Sequence, residues 1–283
     1  GHALARAGRS AHAAQQYLEA CEHAEGGQRI ELRTWAAQHL LQSGQIATGL
    51  EAAREVLAAL GVPLPVSEGG TLARMVWDYC QLLVRGSRLP KGEPLVSAVD
   101  QLRLAAMWNL QYPIATADVL SGALLGLRHL RSSLAAKDRL HVARALASKS
   151  QGMAVAKPDA TDEADELFKE ARALYDAERE PALEAWVLFN EGSGSLVRTA
   201  MVPACEKLGR AEALLRARCP EEPWLLTNVR RALASTWFNM GRLGATGPTI
   251  DRWLAEATER DDRFALANLE TLGLCSMRFL LRD

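Results

Sequence analysis

Apolar residues recur at helical spacing along most of this chain, and this periodicity constrains the fold more than any other feature. The clearest stripe consists of Ile46, Leu50, Ala53, Leu57 and Leu60. These residues follow one another at steps of four, three, four and three, which places them on one face of an α-helix. Sheets favour alternating β-branched residues, yet the 283 residues include only 4 Ile and 14 Val. We therefore predict an all-α fold, with one helix after another between about residues 10 and 281.

Small–large–small triplets of residues recur in the predicted helices and indicate an internal repeat. In tetratricopeptide-like hairpins, small residues let two helix backbones approach, and the large residue fills the gap between them. The triplets are Ala13-Tyr17-Ala20, Ala52-Val56-Ala59, Ala164-Phe168-Ala171 and Ala204-Leu208-Ala211, with a weaker one at Ile250-Leu254-Ala257. Gly152 and Gly192 lie twelve residues before Ala164 and Ala204, where the repeat places the small residue of its first helix.

Two pairs of triplets are separated by about 40 residues, from Ala13 to Ala52 and from Ala164 to Ala204. We predict a right-handed α-solenoid of about six or seven antiparallel, tetratricopeptide-like helix hairpins. We predict a single helical-repeat domain over residues 1–283, with possible hinges near 61–70 and 86–95. Residues 66–135 keep helical patterning, including Leu72, Val76 and Tyr79, but they lose the register of the repeat.

Charge and cysteine content exclude several classes of protein. The 33 basic and 34 acidic side chains give a formal net charge of −1, so we expect neither a nucleic-acid surface nor a membrane surface. No uncharged stretch is long and apolar enough to span a bilayer. The five cysteines show no metal-binding spacing, which favours reduced thiols that pack as small apolar residues in a cytoplasmic protein.

The sequence also lacks the motifs of nucleotide-binding enzymes, protein kinases and helical metal-dependent enzymes. None of the six lysines follows a glycine, so there is no phosphate-binding loop, and no DFG motif of a kinase occurs. Asp261 and Asp262 form the only adjacent aspartate pair, but Ala265 stands where a third metal-binding carboxylate would be needed. We predict that this segment is not an enzyme and binds neither cofactor nor metal, with an all-α enzyme of unfamiliar type as an alternative.

Four segments together resemble one known family. They are residues 30–65 (IELRTWAAQHLLQSGQIATGLEAAREVLAALGVPLP), 141–152 (HVARALASKSQG), 210–219 (RAEALLRARC) and 260–270 (RDDRFALANLE). They are similar to the helical-repeat region of large bacterial proteins that join a serine/threonine kinase domain, a predicted ATPase domain and a long tetratricopeptide-like tail. The resemblance implies a cytoplasmic signalling protein, of which this chain is a fragment with the kinase and ATPase upstream. A related arrangement in ATPase-type transcription activators implies an effector-sensing domain as the alternative.

The predicted binding surface is the groove lined by the first helices of the hairpins. Relative to Gly152 and Gly192, its candidate partner-binding residues are Lys149, Asn190 and Ser193, to which we add Arg231. The expected partner is a protein or peptide, the upstream domains of the same chain, or a second copy in a homo-oligomer.

Two further predictions concern packing. The seven tryptophans are assigned to separate helices, where they are expected to form wedges in the core: Trp35, Trp77, Trp108, Trp186, Trp224, Trp237 and Trp253. A stripe of basic residues is expected to pair with the acidic helix at 159–176: Arg128, Arg131, Lys137, Arg139, Arg144 and Lys149.

Overall fold

The structure, a computed structural model, describes residues 1–86, 88–93 and 96–271, and these contain fourteen α-helices. In chain order they are α1 (His2–Arg6), α2 (Ser10–Cys21), α3 (Gly26–Gln42), α4 (Ile46–Ala59), α5 (Glu68–Arg85), α6 (Ala98–Ala117), α7 (Val119–Ala136), α8 (Arg139–Ala156), α9 (Thr161–Arg172), α10 (Pro181–Val197), α11 (Met201–Arg218), α12 (Pro223–Asn239), α13 (Leu243–Arg260) and α14 (Arg263–Leu269). No strand occurs within these ranges, so the predicted all-α class is confirmed. The helix expected beyond residue 271, including Cys275, lies outside the described residues.

Local chemistry explains where several helices begin. Pro181 and Pro223 are the first residues of α10 and α12, the position at which a missing backbone N–H costs least. At the start of α6, Ser97 accepts from the backbone N–H of Asp100, and the Asp100 carboxylate accepts from the backbone N–H of Ser97. Asp118 alone separates α6 from α7, and its side chain caps α7 by accepting from the Ser121 N–H at 3.1 Å.

The chain divides into two compact units. The first comprises Gly1 and residues 10–149, and the second comprises residues 2–9 and the described residues from 150 onward. The division falls inside α8, between Lys149 and Ser150. The hinges near 61–70 and 86–95 stay predictions.

In the first unit, α3 packs against α2, α4 and α6, while α6 and α7 form a hairpin. The core of these helices consists mainly of aliphatic side chains, among them Leu57, Leu104, Met107 and Leu110. The main helix contact of α5 is with α7, which is not its neighbour in the sequence.

In the second unit, α10 and α11 form the most extensive helix pair, and α12 packs against α10, α11, α13 and α14. The N-terminal residues also belong to this unit, since Arg9 Nε donates to the carbonyl oxygen of Arg260 at 3.3 Å. Gly8 lies so close to Asp262 that a Cβ there would meet its carboxylate oxygen at 2.4 Å.

Part of the predicted repeat packing is present in the second unit. All three residues of Ala164-Phe168-Ala171 and of Ala204-Leu208-Ala211 are buried. At Gly192 on α10, an added Cβ would lie 2.7 Å from Cγ of Leu208 on α11. Gly192 therefore allows the close approach of two helices that the repeat pattern predicted for it.

Other packing predictions were wrong. Gly152 is exposed, and outside its own helix no described atom lies within 4 Å of where its Cβ would be. The contact with α9 is made instead by buried Ser150, whose hydroxyl donates to the Ala164 carbonyl at 3.0 Å. Ala59 is exposed as well, because α4 buries Gly49 and Ala53 on an adjacent face.

The tryptophans do not all lie in the core or on separate helices. Trp224 and Trp237 share α12, so the assignment to separate helices was wrong for this pair. Trp186 and Trp253 are buried as predicted, with 4% and 2% of their surfaces exposed. Trp77 on α5 is 58% exposed, which makes it available for contacts outside the core.

Candidate functional site

A cleft of about 700 Å³ opens in the first unit and is the best candidate site in the part of the chain that the structure describes. Its walls are the loop of residues 61–65, one side of α5, the beginning of α6 and the middle of α7. The charged residues of its lining are Arg74, Arg103, Arg128, Arg131 and Asp78. With four guanidinium groups and one carboxylate, the cleft is strongly basic in a protein whose net charge is −1.

Asp78 organises the inner wall of the cleft. It is 2% exposed on α5, and its Oδ2 accepts from Nε of Arg128 at 3.0 Å. Its other oxygen, Oδ1, accepts from Nη1 of Arg131. One buried carboxylate thus positions two guanidinium groups that lie three residues apart on α7.

Both arginines have further contacts that fix their orientation. Nη1 of Arg128 donates to the carbonyl oxygen of Pro63 at 2.7 Å, which ties α7 to the loop that follows α4. Nη1 of Arg131 donates to Oε1 of Gln81 at 2.6 Å. Arg128 is buried, whereas a third of the Arg131 side chain is exposed, and both residues line the cleft.

Arg103 holds the opposite wall in place. Its Nε donates to the Leu60 carbonyl at 2.9 Å, and its Nη1 donates to Asp100 at 2.6 Å. Hydrogen bonds from the side chain and backbone of Ser97, assisted by Arg103, lower the pKa of Asp100. The carboxylate therefore stays charged and keeps Arg103 aligned.

The rim of the cleft carries side chains that the fold does not use. Arg74 is exposed and makes no ion pair with any residue the structure describes. Trp77 lies one turn further along α5 with 58% of its surface exposed. An exposed arginine and an exposed tryptophan on one rim suit a ligand that carries both an anionic group and an apolar or planar group.

The chemistry of this lining suits an anionic group. Guanidinium groups donate paired hydrogen bonds to carboxylates and phosphates, and here two of them are held in place before a ligand arrives. Its lining residues include neither histidine nor cysteine nor glutamate, and its aspartate is occupied by two arginines. In residues 1–86, 88–93 and 96–271, no group of three His, Cys, Asp or Glu side chains could hold a metal ion.

A second polar cluster in the first unit is a buried histidine pair. Nε2 of His129 on α7 lies 2.9 Å from Nδ1 of His141 on α8, so that one ring donates to the other. Burial is the main cause that holds the pKa of His129 well below its ordinary value and lowers the pKa of His141 to about 4. The nearby Arg144 guanidinium, which lies 4.9 Å from the centre of the Trp108 ring, depresses both pKa values further.

The four residues proposed from the sequence for partner binding lie elsewhere. Lys149 is half-buried at the end of the first unit, and Arg231 is half-buried on α12. Asn190 is completely buried on α10 and donates to the Trp186 carbonyl at 2.7 Å, while Ser193, one turn later, is 8% exposed. Asn190 was expected to face an open groove, but its side chain is buried between helices. Binding roles for all four residues stay predictions.

Two arginines of the predicted basic stripe have an acidic partner that the sequence did not indicate. Arg128 and Arg131 pair with Asp78 on α5. Lys169 pairs with Glu166 within α9, and Arg172 of α9 pairs with Glu191 of α10. The signal that could have identified the site is a single aspartate, Asp78, in an otherwise apolar stretch of α5.

The fold and this cleft define the chain as an all-α protein with an arginine-lined site. Comparisons with protein-family models, curated proteins and solved structures found no match for the chain. Among the helices that the structure describes, none combines the length and apolar character needed to cross a membrane.

Proposed function

We propose that this chain is a non-catalytic, helical-repeat binding module whose cleft takes an acidic segment of another protein or of another domain. One observation carries the proposal: buried Asp78 holds Arg128 and Arg131 in place on the cleft wall. The acidic segment would place its carboxylates on the exposed donors of Arg131 and Arg74, with its apolar side chains against Trp77. Stacked hairpins of a tetratricopeptide-like solenoid would supply the rigid support for such a site.

The wider context of this proposal is the family that the sequence resembles. The module would be the regulatory or sensor region of a cytoplasmic bacterial protein that also carries a serine/threonine kinase and an ATPase. Binding of an acidic segment would then report to those domains through the helical repeat. Sequencing of the gene upstream of this segment tests the idea, since a reading frame without either domain would contradict it.

An effector-sensing module is the second candidate function. The cleft volume of about 700 Å³ falls within the range of small-molecule sites, which run from roughly 300 to 1,000 Å³. Under this alternative, the ligand is a small organic anion whose binding stabilises the folded protein.

A peptide-binding experiment tests the main proposal. The probe is a fluorescein-labelled octaglutamate peptide, and its anisotropy is followed as the full chain is added at low salt. We expect Arg74→Gln to weaken binding about fivefold, which corresponds to about 1 kcal/mol for one exposed charge contact. Arg216→Gln removes an exposed arginine of α11 outside the cleft and serves as the matched control.

The outcomes separate the two functions. Equal weakening by Arg74→Gln and Arg216→Gln would show that the peptide binds through non-specific charge attraction, which contradicts the site. If citrate raises the melting temperature of the wild type but not of Arg74→Gln, and the peptide does not bind, the effector-sensing alternative replaces the main proposal.

A further inference from the structure

α5 exposes its more apolar side to solvent. One face of the helix packs against the fold through Thr71, Met75, Asp78 and Leu82, of which Asp78 is charged and Thr71 is polar. The adjacent face, which we call the apolar stripe, consists of Leu72, Val76, Tyr79 and Leu83. The exposed fractions of these four side chains are 49%, 63%, 45% and 64%, respectively.

Such a stripe indicates an interface, because soluble proteins seldom leave a continuous row of large apolar side chains in water. The stripe lies on a different side of α5 from the cleft, whose residues on this helix are Arg74, Trp77, Asp78 and Gln81. An occupant of the stripe can therefore bind while the cleft stays open.

The pattern of the apolar stripe is symmetric about its centre. Leu72 and Leu83 lie equally far from the point between Trp77 and Asp78, and so do Val76 and Tyr79. When two copies of α5 cross antiparallel at this point, Leu72 lies opposite Leu83 of the second copy, and Val76 lies opposite Tyr79. A self-complementary patch of this kind is what a two-fold symmetric interface requires.

The helix dipoles of α5 favour the same antiparallel arrangement. Antiparallel pairing sets the positive end of each helix dipole beside the negative end of the other, whereas parallel pairing would place like ends together. This preference does not need the charge of Arg85 in the last turn, whose Nη2 donates to the Leu134 carbonyl of the same chain at 3.1 Å.

From these observations we propose that the chain forms a two-fold homodimer through an antiparallel pair of α5 helices. The dimer buries the apolar stripe, with Leu72 and Leu83 at the two ends of the contact and Val76 and Tyr79 at its centre. The proposal does not depend on the function of the cleft, since it uses another face of the helix.

Sedimentation velocity of the full chain, from low to high micromolar concentration, tests the dimer. We expect the wild type to sediment as a dimer and Leu83→Glu to weaken association by at least about tenfold, because two carboxylates then enter an apolar contact. Val84→Glu is the matched control, since Val84 is the next residue, is 92% exposed and lies outside the stripe. Circular dichroism checks that all variants keep their helix content.

A double variant tests the register. In Leu72→Lys/Leu83→Glu, antiparallel pairing places each lysine opposite a glutamate, so the dimer should return at low salt. Failure of the double variant to recover association beyond Leu83→Glu would overturn the antiparallel register. A wild type that stays monomeric over the whole concentration range, or equal effects of Leu83→Glu and Val84→Glu, would overturn the dimer, whatever else covers the stripe.

Discussion

At the scale of single residues, Gly192 and Gly152 have the same place in the sequence pattern but different surroundings. Both precede an alanine of a repeat triplet by twelve residues. Gly192 lies against Leu208, and an added Cβ would come within 2.7 Å of its Cγ, whereas the Cβ position of Gly152 is open. The sequence pattern could not distinguish them, because the approach of a second helix depends on how the two helices cross.

Alanine substitution at these two glycines should have opposite effects on stability. Gly152→Ala should raise the free energy of unfolding by up to about 1 kcal/mol, since alanine is the better helix former and nothing obstructs it. Gly192→Ala has the same gain in helix propensity but forces Leu208 to move, at a cost of about 1 to 3 kcal/mol. Urea denaturation of both variants measures the difference, and similar values for the two would contradict the close contact at Gly192.

At the scale of helices, α5 shows what periodicity can and cannot determine. Its apolar residues predicted a helix in residues 66–135, and α5 occurs at Glu68–Arg85. Periodicity did not determine which side is buried, because apolar residues occupy two adjacent sides. Asp78 decides the orientation, since its carboxylate pairs with Arg128 and Arg131, which lie 50 and 53 residues later in the chain.

Loss of the Asp78 carboxylate should weaken the attachment of α5 to α7. Asp78→Ala leaves buried Arg128 without its charge partner, and we expect it to lower the free energy of unfolding by about 3 kcal/mol. Asp78→Leu combined with Arg128→Met removes both charges and should cost less than Asp78→Ala alone. Urea denaturation gives these values, and hydrogen exchange should show faster exchange in α5 of Asp78→Ala. A single variant as stable as the wild type would contradict the role of Asp78 as an anchor.

At the scale of the whole molecule, the His129–His141 pair links stability to pH. The folded protein keeps both rings neutral, because burial holds their pKa values below the ordinary 6.5. The positive charge of Arg144 lowers both pKa values further, and the negative charge of Asp138 raises that of His141 by a smaller amount. The unfolded chain takes up protons as the pH falls through about 6.5. The unfolded state therefore binds more protons from about pH 7 down to the folded pKa of His141, about 4, and stability falls across this window.

Acid should destabilise the protein before its carboxylates titrate. From pH 7 to pH 5, we expect the free energy of unfolding to fall by about 2 kcal/mol from His141 alone. His141→Gln keeps a hydrogen-bonding side chain beside His129 but removes one titrating ring, so its stability should depend less on pH over this range. Chemical denaturation at several pH values measures the slope, and His12→Gln, at an exposed position of α2, controls for the loss of a histidine. An unchanged slope in His141→Gln would show that the pair does not act in this way.

The sequence by itself determined the local structure of this protein. Helices are specified by interactions within a few residues: apolar residues at helical spacing, few β-branched residues and prolines in first turns. The all-α class and helix starts such as Pro181 and Pro223 could therefore be predicted. It also identified Arg128 and Arg131 as part of a basic stripe, and it placed Gly192 at a close crossing.

Only the tertiary structure decided which of these residues meet. The cleft joins α5, the 61–65 loop, α6 and α7 because Asp78, Pro63 and Arg128 come together from distant parts of the chain. It likewise decided that Asn190 is buried while Trp77 and the apolar stripe of α5 are exposed. Burial depends on which helix packs on which face, and that choice is made by long-range contacts that local periodicity does not encode.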